Sequence, residues 1–293
     1  MEALASPDRP RLASREELDE IRSRLKEYFP KSAVIYGILK ALTAYEGMWD
    51  LLGTQVYYCD YSSLVAGTPS DYQCAKQTLY LFWDEEEEDD EEVAMLLSRI
   101  PALDWSKPVF LCGTPLSLVR KVENFVTTGL LGYGLLKPSE AMILQMYSLS
   151  SMPSIDMELP EGFEFRDLTE EHAEFLLDHW QYKHISTLHR YRCMRRTLPG
   201  VGVFKTSHGN NNGEPVAWAQ LSFWNMYTNT FTLPQYRRQG LAAMATLALA
   251  RKSLEKTGVA LAPIFPDNVP SAEMHLKLGF KRSVVIANQS YCP

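Results

Sequence analysis

The chain has 293 residues, 46% of them hydrophobic, and a formal net charge of −7. That length suits two domains better than one, and that apolar fraction excludes global disorder. Net acidity argues against a nucleic-acid surface, which would show basic clusters, and no apolar run reaches the roughly 18 residues a membrane helix needs.

Residues 1–13 read as a Pro-rich, polar tail. Ser14 and Glu17 then form a capping box before a helix carrying Leu18, Ile21, Leu25 and Tyr28 at helical spacing, ended by Pro30. Ala33–Leu39 is predicted as a strand, as are Gln55–Tyr61 and Gln77–Trp83. Nine consecutive carboxylates, Asp84 to Glu92, read as a solvated loop leading into a helix over Val93–Arg99. A strand over Pro108–Cys112 and an amphipathic helix over Leu116–Phe125 follow. Turn residues at Ser148–Ser154 mark a hinge, giving an N-terminal α/β domain over 14–150 and a second domain over 155–293.

The second half alternates again. A strand is predicted at Phe163–Arg166, helices at Asp167–Trp180 and Ser186–Thr197, and a hairpin of Val201–Thr206 and Pro215–Trp224 around the polar turn Ser207–Glu214. A strand over Tyr227–Leu233 enters a long helix, with Val259–Phe265, the helix Ser271–Leu278 and Lys281–Ile286 after it. Leu25–Tyr36 and Met194–Phe204 echo each other as helix, Leu/Phe-Pro, small residue and apolar strand. That echo suggests the N-terminal half is a second copy of one fold.

Five widely spaced cysteines (Cys59, Cys74, Cys112, Cys193, Cys292) lack metal-ligand spacing, so no metal is expected. They read as thiols of a reducing, cytoplasmic compartment. The segment Met1–Asp8 has acidic residues and no apolar core, unlike a secretory signal or a good mitochondrial presequence.

The chemistry concentrates in Thr232-Leu233-Pro234-Gln235-Tyr236-Arg237-Arg238-Gln239-Gly240-Leu241-Ala242, placed where a strand gives way to a helix. The first amides of a helix have no intrahelical acceptor and carry partial positive charge. Gly240 puts no side chain between those amides and an anion, and Ala242 keeps the approach open, which suits a phosphate. About thirty residues on, Asn268 stands seven residues before His275, which precedes Lys277-Leu278-Gly279-Phe280.

This pair of motifs resembles the GNAT (Gcn5-related N-acetyltransferase) superfamily. The stretch Thr232–Gly240, with Gly213-Glu-Pro-Val-Ala-Trp-Ala219 and Asn288-Gln-Ser-Tyr-Cys-Pro293, is similar to the glycine N-acyltransferase family. The resemblance covers nearly the whole chain, weakly between Thr54 and Pro153. It implies an α/β (α+β) architecture: a C-terminal GNAT fold with a mixed central sheet, and an N-terminal domain that reads as a degenerate copy lacking the coenzyme A motifs. It implies acyl-CoA as co-substrate, with no tightly bound cofactor, a small amine acceptor such as glycine or another amino acid, and a mitochondrial location as the alternative to a cytoplasmic one. By the same resemblance Thr232, Leu233, Arg237, Arg238, Gln239, Gly240, Leu241, Ala242 and Asn268 hold coenzyme A, and the Leu233 amide polarises the thioester.

His275 occupies the position of the usual Tyr that protonates the departing thiolate; imidazole suits that task, and a helix-surface histidine is the other reading. The family's Glu on the fourth strand is missing, since Phe223–Phe231 holds no acidic residue or histidine. Tyr227, His184 and His189 are the stand-ins for the base. Arg195 and Arg196 either attract an acceptor carboxylate or end a helix against its dipole. No Ser-His-Asp or Cys-His pairing stands out, so direct attack in a ternary complex is expected, with a catalytically silent acyl-CoA-binding module as the alternative.

Overall fold

A computed structural model of the chain describes residues 9–69, 77–132, 136–206 and 213–293. It divides into two compact units that do not follow chain order. The first comprises Met1–Leu39, Met48–Gln145 and Ser283–Pro293; the second comprises Lys40–Gly47 and Met146–Arg282.

The elements begin with β1 (Arg11–Leu12), α1 (Leu18–Glu27), α2 (Ala33–Ala44), α3 (Met48–Leu52), β2 (Gln55–Tyr58), β3 (Val65–Thr68) and β4 (Gln77–Phe82). They continue through α4 (Asp90–Ser98), β5 (Val109–Pro115), α5 (Leu116–Thr128), β6 (Lys137–Pro138) and β7 (Met142–Leu149). Next come β8 (Phe163–Asp167), α6 (Ala173–Asp178), α7 (Leu188–Thr197), β9 (Gly200–Lys205), β10 (Ala217–Leu221) and β11 (Tyr227–Thr232). The last elements are α8 (Leu241–Thr257), β12 (Ala260–Ile264), α9 (Val269–Lys277) and β13 (Lys281–Cys292).

In the first unit β1, β2, β3, β4, β5 and β13 lie side by side. The β4–β5 pair is parallel and the others are antiparallel, so the sheet is mixed. Its core is aromatic, with Tyr80, Phe82, Trp83, Trp105 and Phe125 buried. Ser14 and Glu17 form the predicted box, the Ser14 amide donating to Glu17 at 2.7 Å and the Glu17 amide to Ser14 Oγ at 3.4 Å. The acidic run is only partly a loop. Asp89 Oδ1 accepts from the amides of Glu91 and Glu92, so Asp89 starts the helix three residues earlier than predicted and places three further acids in its first turn.

Gly67 shows how tightly this sheet packs. It lies against the buried ring of Tyr80, and a Cβ there would overlap ring carbons. Gly67→Ala is expected to destabilise the protein by about 1–3 kcal/mol through overpacking, read as a lower denaturant midpoint; an unchanged midpoint would contradict this packing.

The predicted strand Ala33–Leu39 is instead the start of α2, a twelve-residue helix. Residues 33–39 are all buried, so no polar face marks the period, and only the length of the apolar run favours a helix. The echo with Met194–Phe204 fails with it, because Gly200–Lys205 is a strand. Strands β3 and β7 were not predicted. The last strand runs to Cys292, beyond the predicted Ile286, and pairs with β5 of the first unit from Ile286 onward, so that unit takes the end of the segment 155–293. The predicted turn Ser207–Glu214 lies, up to residue 212, outside the described residues.

In the second unit β8, β9, β10 and β11 form an antiparallel four-stranded sheet. Trp218, Tyr191, Phe204 and Phe280 fill its core. Two successions of elements match across the chain. Two helices, three antiparallel strands, a helix, a strand and a helix occur as α1, α2, β2–β4, α4, β5 and α5, with the short α3 added, and again as α6, α7, β9–β11, α8, β12 and α9.

Candidate active site

Strands β4 and β5 pair along Gln77–Leu79 and Val109–Leu111. Their counterparts β11 and β12 meet, among the described residues, at one parallel bridge, Met226 to Leu261, and then part. The result is a V whose open end lies towards Thr232 on one arm and Phe265, just past β12, on the other. Opposite Ala219, β11 carries two residues, Asn229 and Thr230, where a regular ladder has one. Such a bulge bends a strand and ends its pairing. Asn229 adopts φ 47° there, and its Nδ2 donates to Tyr191 Oη and to the Leu176 carbonyl, both at 2.9 Å. In the sequence this clamp leaves one trace, an Asn, the residue type after Gly that most readily takes a left-handed angle.

The Leu233 amide donates to Val216 O at 2.9 Å, which completes the β10–β11 ladder. Leu233 therefore has no amide to spare for a thioester, contrary to expectation. Antiparallel registers alternate, and Thr232 stands opposite Ala217, so the Thr232 amide points to the far side of β11.

Beyond the open end of the V the chain turns into α8. Arg238 at φ 62° and Gly240 at φ 75° are both left-handed, and Gly240 caps the helix without a side-chain hydrogen bond. A Cβ on Gly240 would meet nothing within 4 Å, so its backbone angle, not space, calls for glycine. Arg237, Arg238, Gln239 and Gly240 are exposed, Leu241 is buried beneath them and Ala242 is half-buried. Arg237 Nε donates to Thr232 O at 3.3 Å, and its guanidinium lies 5.6 Å from the Phe231 ring centre. Alternating backbone handedness at a helix start makes a concave set of amides suited to an anion.

Asn268 opens α9, where its Oδ1 accepts from the Ser271 amide at 3.3 Å. His275 lies two turns further on and is 3% exposed. Its Nδ1 is 2.8 Å from Ser271 O, which as a carbonyl can only accept, so Nδ1 carries the proton. Nε2 is buried with no partner, among the rings of Tyr147, Tyr227 and Phe280 at 5.0–6.4 Å between centres. Burial lowers the imidazole's pKa. Nε2 thus lacks a proton at neutral pH, which argues against the expected general acid and equally against a surface histidine.

Tyr227 is buried beside it, its hydroxyl donating to Thr246 O at 3.2 Å, and burial raises its pKa well above the ordinary value. A phenol held in that form cannot take a proton from an amine. Tyr227→Phe is expected to cost about 1 kcal/mol of stability, the worth of one hydrogen bond, while leaving the pH profile of turnover unchanged; loss of the rise of rate with pH would restore the base reading. His184 and His189 are exposed, the latter with Nε2 3.7 Å from Cys193 Sγ on its own helix. Arg195 is buried, donating to Leu221 O at 2.7 Å, and Arg196 pairs with Glu170. Arg195 thus serves the fold, and Arg196 is tied to the turn before α6.

Among its described residues the first unit lacks both features. Its β4 and β5 stay paired, and the helix that follows β4 starts among Asp89, Asp90, Glu91 and Glu92, whose carboxylates occupy and repel where an anion would dock. Among the described residues no group of His, Cys, Asp and Glu is arranged to hold a metal ion, and no helix is long and apolar enough to cross a membrane.

Comparison with known proteins agrees with this architecture. Residues 202–288, which contain the V, the turn and α9, match the family model described as FR47-like protein. No curated protein matches in sequence. Among solved structures, a Drosophila protein superposes with a TM-score of 0.72 at 18% identity, over 98% of this chain and 99% of that one. A GCN5-related N-acetyltransferase from Sphaerobacter thermophilus gives 0.54 at 10% identity, over 98% and 96%. A tandem GNAT protein from the clavulanic acid biosynthesis pathway gives 0.51 at 11%, over 97% of each chain. The fold is therefore a mixed α/β fold of the tandem GNAT type, the two-domain arrangement expected from the sequence.

Proposed function

We propose that the chain is a coenzyme A-dependent acyltransferase that moves an acyl group from acyl-CoA to the amine of a small acceptor, with glycine and other amino acids first among the acceptors. The observation that carries this reading is the single bridge between β11 and β12, with the turn Arg237–Ala242 beyond the open end. The V admits a narrow pantetheine arm, and the turn offers amides and two arginines to a pyrophosphate. Asn268, with Oδ1 on the helix cap, offers its amide nitrogen to the pantetheine.

The acceptor nitrogen attacks the thioester carbon directly. Charge developing on the carbonyl oxygen falls to the Thr232 amide on the open side of β11, in place of Leu233. The sulfur leaves as a thiolate and takes its proton from the attacking nitrogen, since His275 has none to give at Nε2.

The test is thiol release from acetyl-, benzoyl- and medium-chain acyl-CoA with a panel of amino acids and simple amines, with the amide product identified by mass. Release that depends on the amine is the expected result. Tight coenzyme A binding without release identifies a silent binding module instead, a reading motivated by the lack of an acidic residue on Phe223–Phe231.

A further inference from the structure

The acyltransferase reading leaves one part unfilled: the group that takes a proton from the acceptor ammonium. The segment after α6 is placed to supply it. Phe265 and Phe231 mark the two arms of the V at its open end. His179 lies 6.0 Å from the Phe231 ring and 5.7 Å from that of Trp218, between centres. Three residues on, Tyr182 lies 6.1 Å from Phe265. Residues 179–182 therefore straddle the mouth where a thioester carried between the arms would emerge.

The His179 ring is held in one tautomer. Its Nδ1 is 2.8 Å from the carbonyl of Phe175, which can only accept, so Nδ1 carries a hydrogen and the neutral ring has its lone pair on Nε2. The Phe175 ring packs on the imidazole at 4.3 Å and Trp218 meets it edge-on, fixing its orientation. Unlike His275, His179 is only half-buried, so Nε2 is open to a substrate. On its own segment Glu174 lies one turn before and Asp178 pairs with Lys183 at 3.4 Å. The helix α7, packed against α6, carries His189, Arg190, Arg192, Arg195 and Arg196, while β10 and β11 present Trp218 and Phe231, with Arg237 over Phe231. A backbone-fixed imidazole with a free nitrogen at a reaction site is the arrangement of a general base.

We propose that His179 is the general base of the acyl transfer and that the acceptor amine docks between the 179–182 segment and the open end of the V. The proposal rests on the acyltransferase reading. The acceptor ammonium gives one proton to Nε2, which passes it to water. The freed nitrogen lone pair forms the C–N bond at the thioester carbon, and the C–S bond breaks with its electron pair on sulfur. A second N–H proton ends on that sulfur, so the products are an amide, free thiol and one released proton.

The experiment uses the full chain, with the acyl-CoA and amine that the wild type turns over. His179→Ala and His179→Gln are expected to lower turnover by roughly 10²–10⁴-fold, the usual worth of general base catalysis. Both should leave coenzyme A affinity within a fewfold and abolish the acid limb of the pH–rate profile. Added imidazole should restore part of the His179→Ala activity. Unaltered turnover, or a lower rate with the acid limb intact and no rescue, overturns the base assignment. A wild type that turns over no amine overturns the acyltransferase reading itself and the assignment with it. Folding of each variant is checked by its coenzyme A affinity, and the glutamine variant keeps a donor for the Phe175 carbonyl.

Discussion

Gly240→Glu is expected to weaken coenzyme A binding by on the order of a hundredfold or more, because hydrogen bonds to a charged group contribute roughly 1.5–3 kcal/mol each and a carboxylate here would displace about two of those proposed to hold the pyrophosphate. The carboxylate would stand where the phosphates dock, at a position with nothing around its Cβ to hold it elsewhere. Strain alone does not produce such a loss: Gly240→Ala meets the same left-handed φ of 75° at about 1–2 kcal/mol and adds no charge. Arg251→Glu supplies the control for bulk electrostatics. Arg251 lies on the body of α8, with Nη2 3.1 Å from Met157 Sδ, and changes the net charge more than Gly240→Glu does. Its effect should stay within a fewfold. Equal losses from the two glutamates would mean that diffuse charge, not the helix start, attracts the ligand.

The second large effect is on stability, at His275. The folded state holds this imidazole neutral, with its pKa below the ordinary 6.5 because of burial. Below pH 6.5 the unfolded chain binds a proton that the folded chain refuses. Stability is therefore complete above that pH and falls as the pH drops towards the folded pKa, by up to about 1.4 kcal/mol per pH unit. His275→Phe, which keeps a ring among Tyr147, Tyr227 and Phe280 and removes the unpartnered Nε2, should match or exceed the wild type at pH 7.5 and lose that acid dependence. Urea denaturation of both proteins between pH 5.5 and 7.5 reads the difference directly. Parallel curves would show that His275 titrates as it does in the unfolded chain.

The site was legible where the backbone itself does the work. Gly240 before a run of helix formers, with Arg237 and Arg238 ahead of it, announces an abrupt helix start with a left-handed cap, because few other local conformations need that order. What the sequence could not convey was which way each group faces. Leu233 and Thr232 are neighbours, yet one amide belongs to the ladder and the other to the gap, and the bulge at Asn229 and Thr230 decides how β11 leaves its partner. Likewise His275 reads as a helix residue at an acid's spacing, but the rings of Tyr147, Tyr227 and Phe280, distant in sequence, make it a buried neutral one. The fold followed the same pattern. Capped and amphipathic elements such as α1 and α5 were plain, whereas residues 33–39 of α2, all buried, carried no periodicity to separate helix from strand. His179 escaped notice because its partners, Trp218 and Phe231, come from strands some forty to fifty residues away.

The central claim is that the V and the turn beyond it hold acyl-CoA by its pantetheine and its pyrophosphate together. Calorimetric titration of the full chain with coenzyme A and with pantetheine, which lacks the pyrophosphate, tests this most directly. Coenzyme A should bind at least a hundredfold more tightly than pantetheine, and Gly240→Glu should bring the two close together. Equal affinity for both in the wild type, or no binding of coenzyme A, would contradict it.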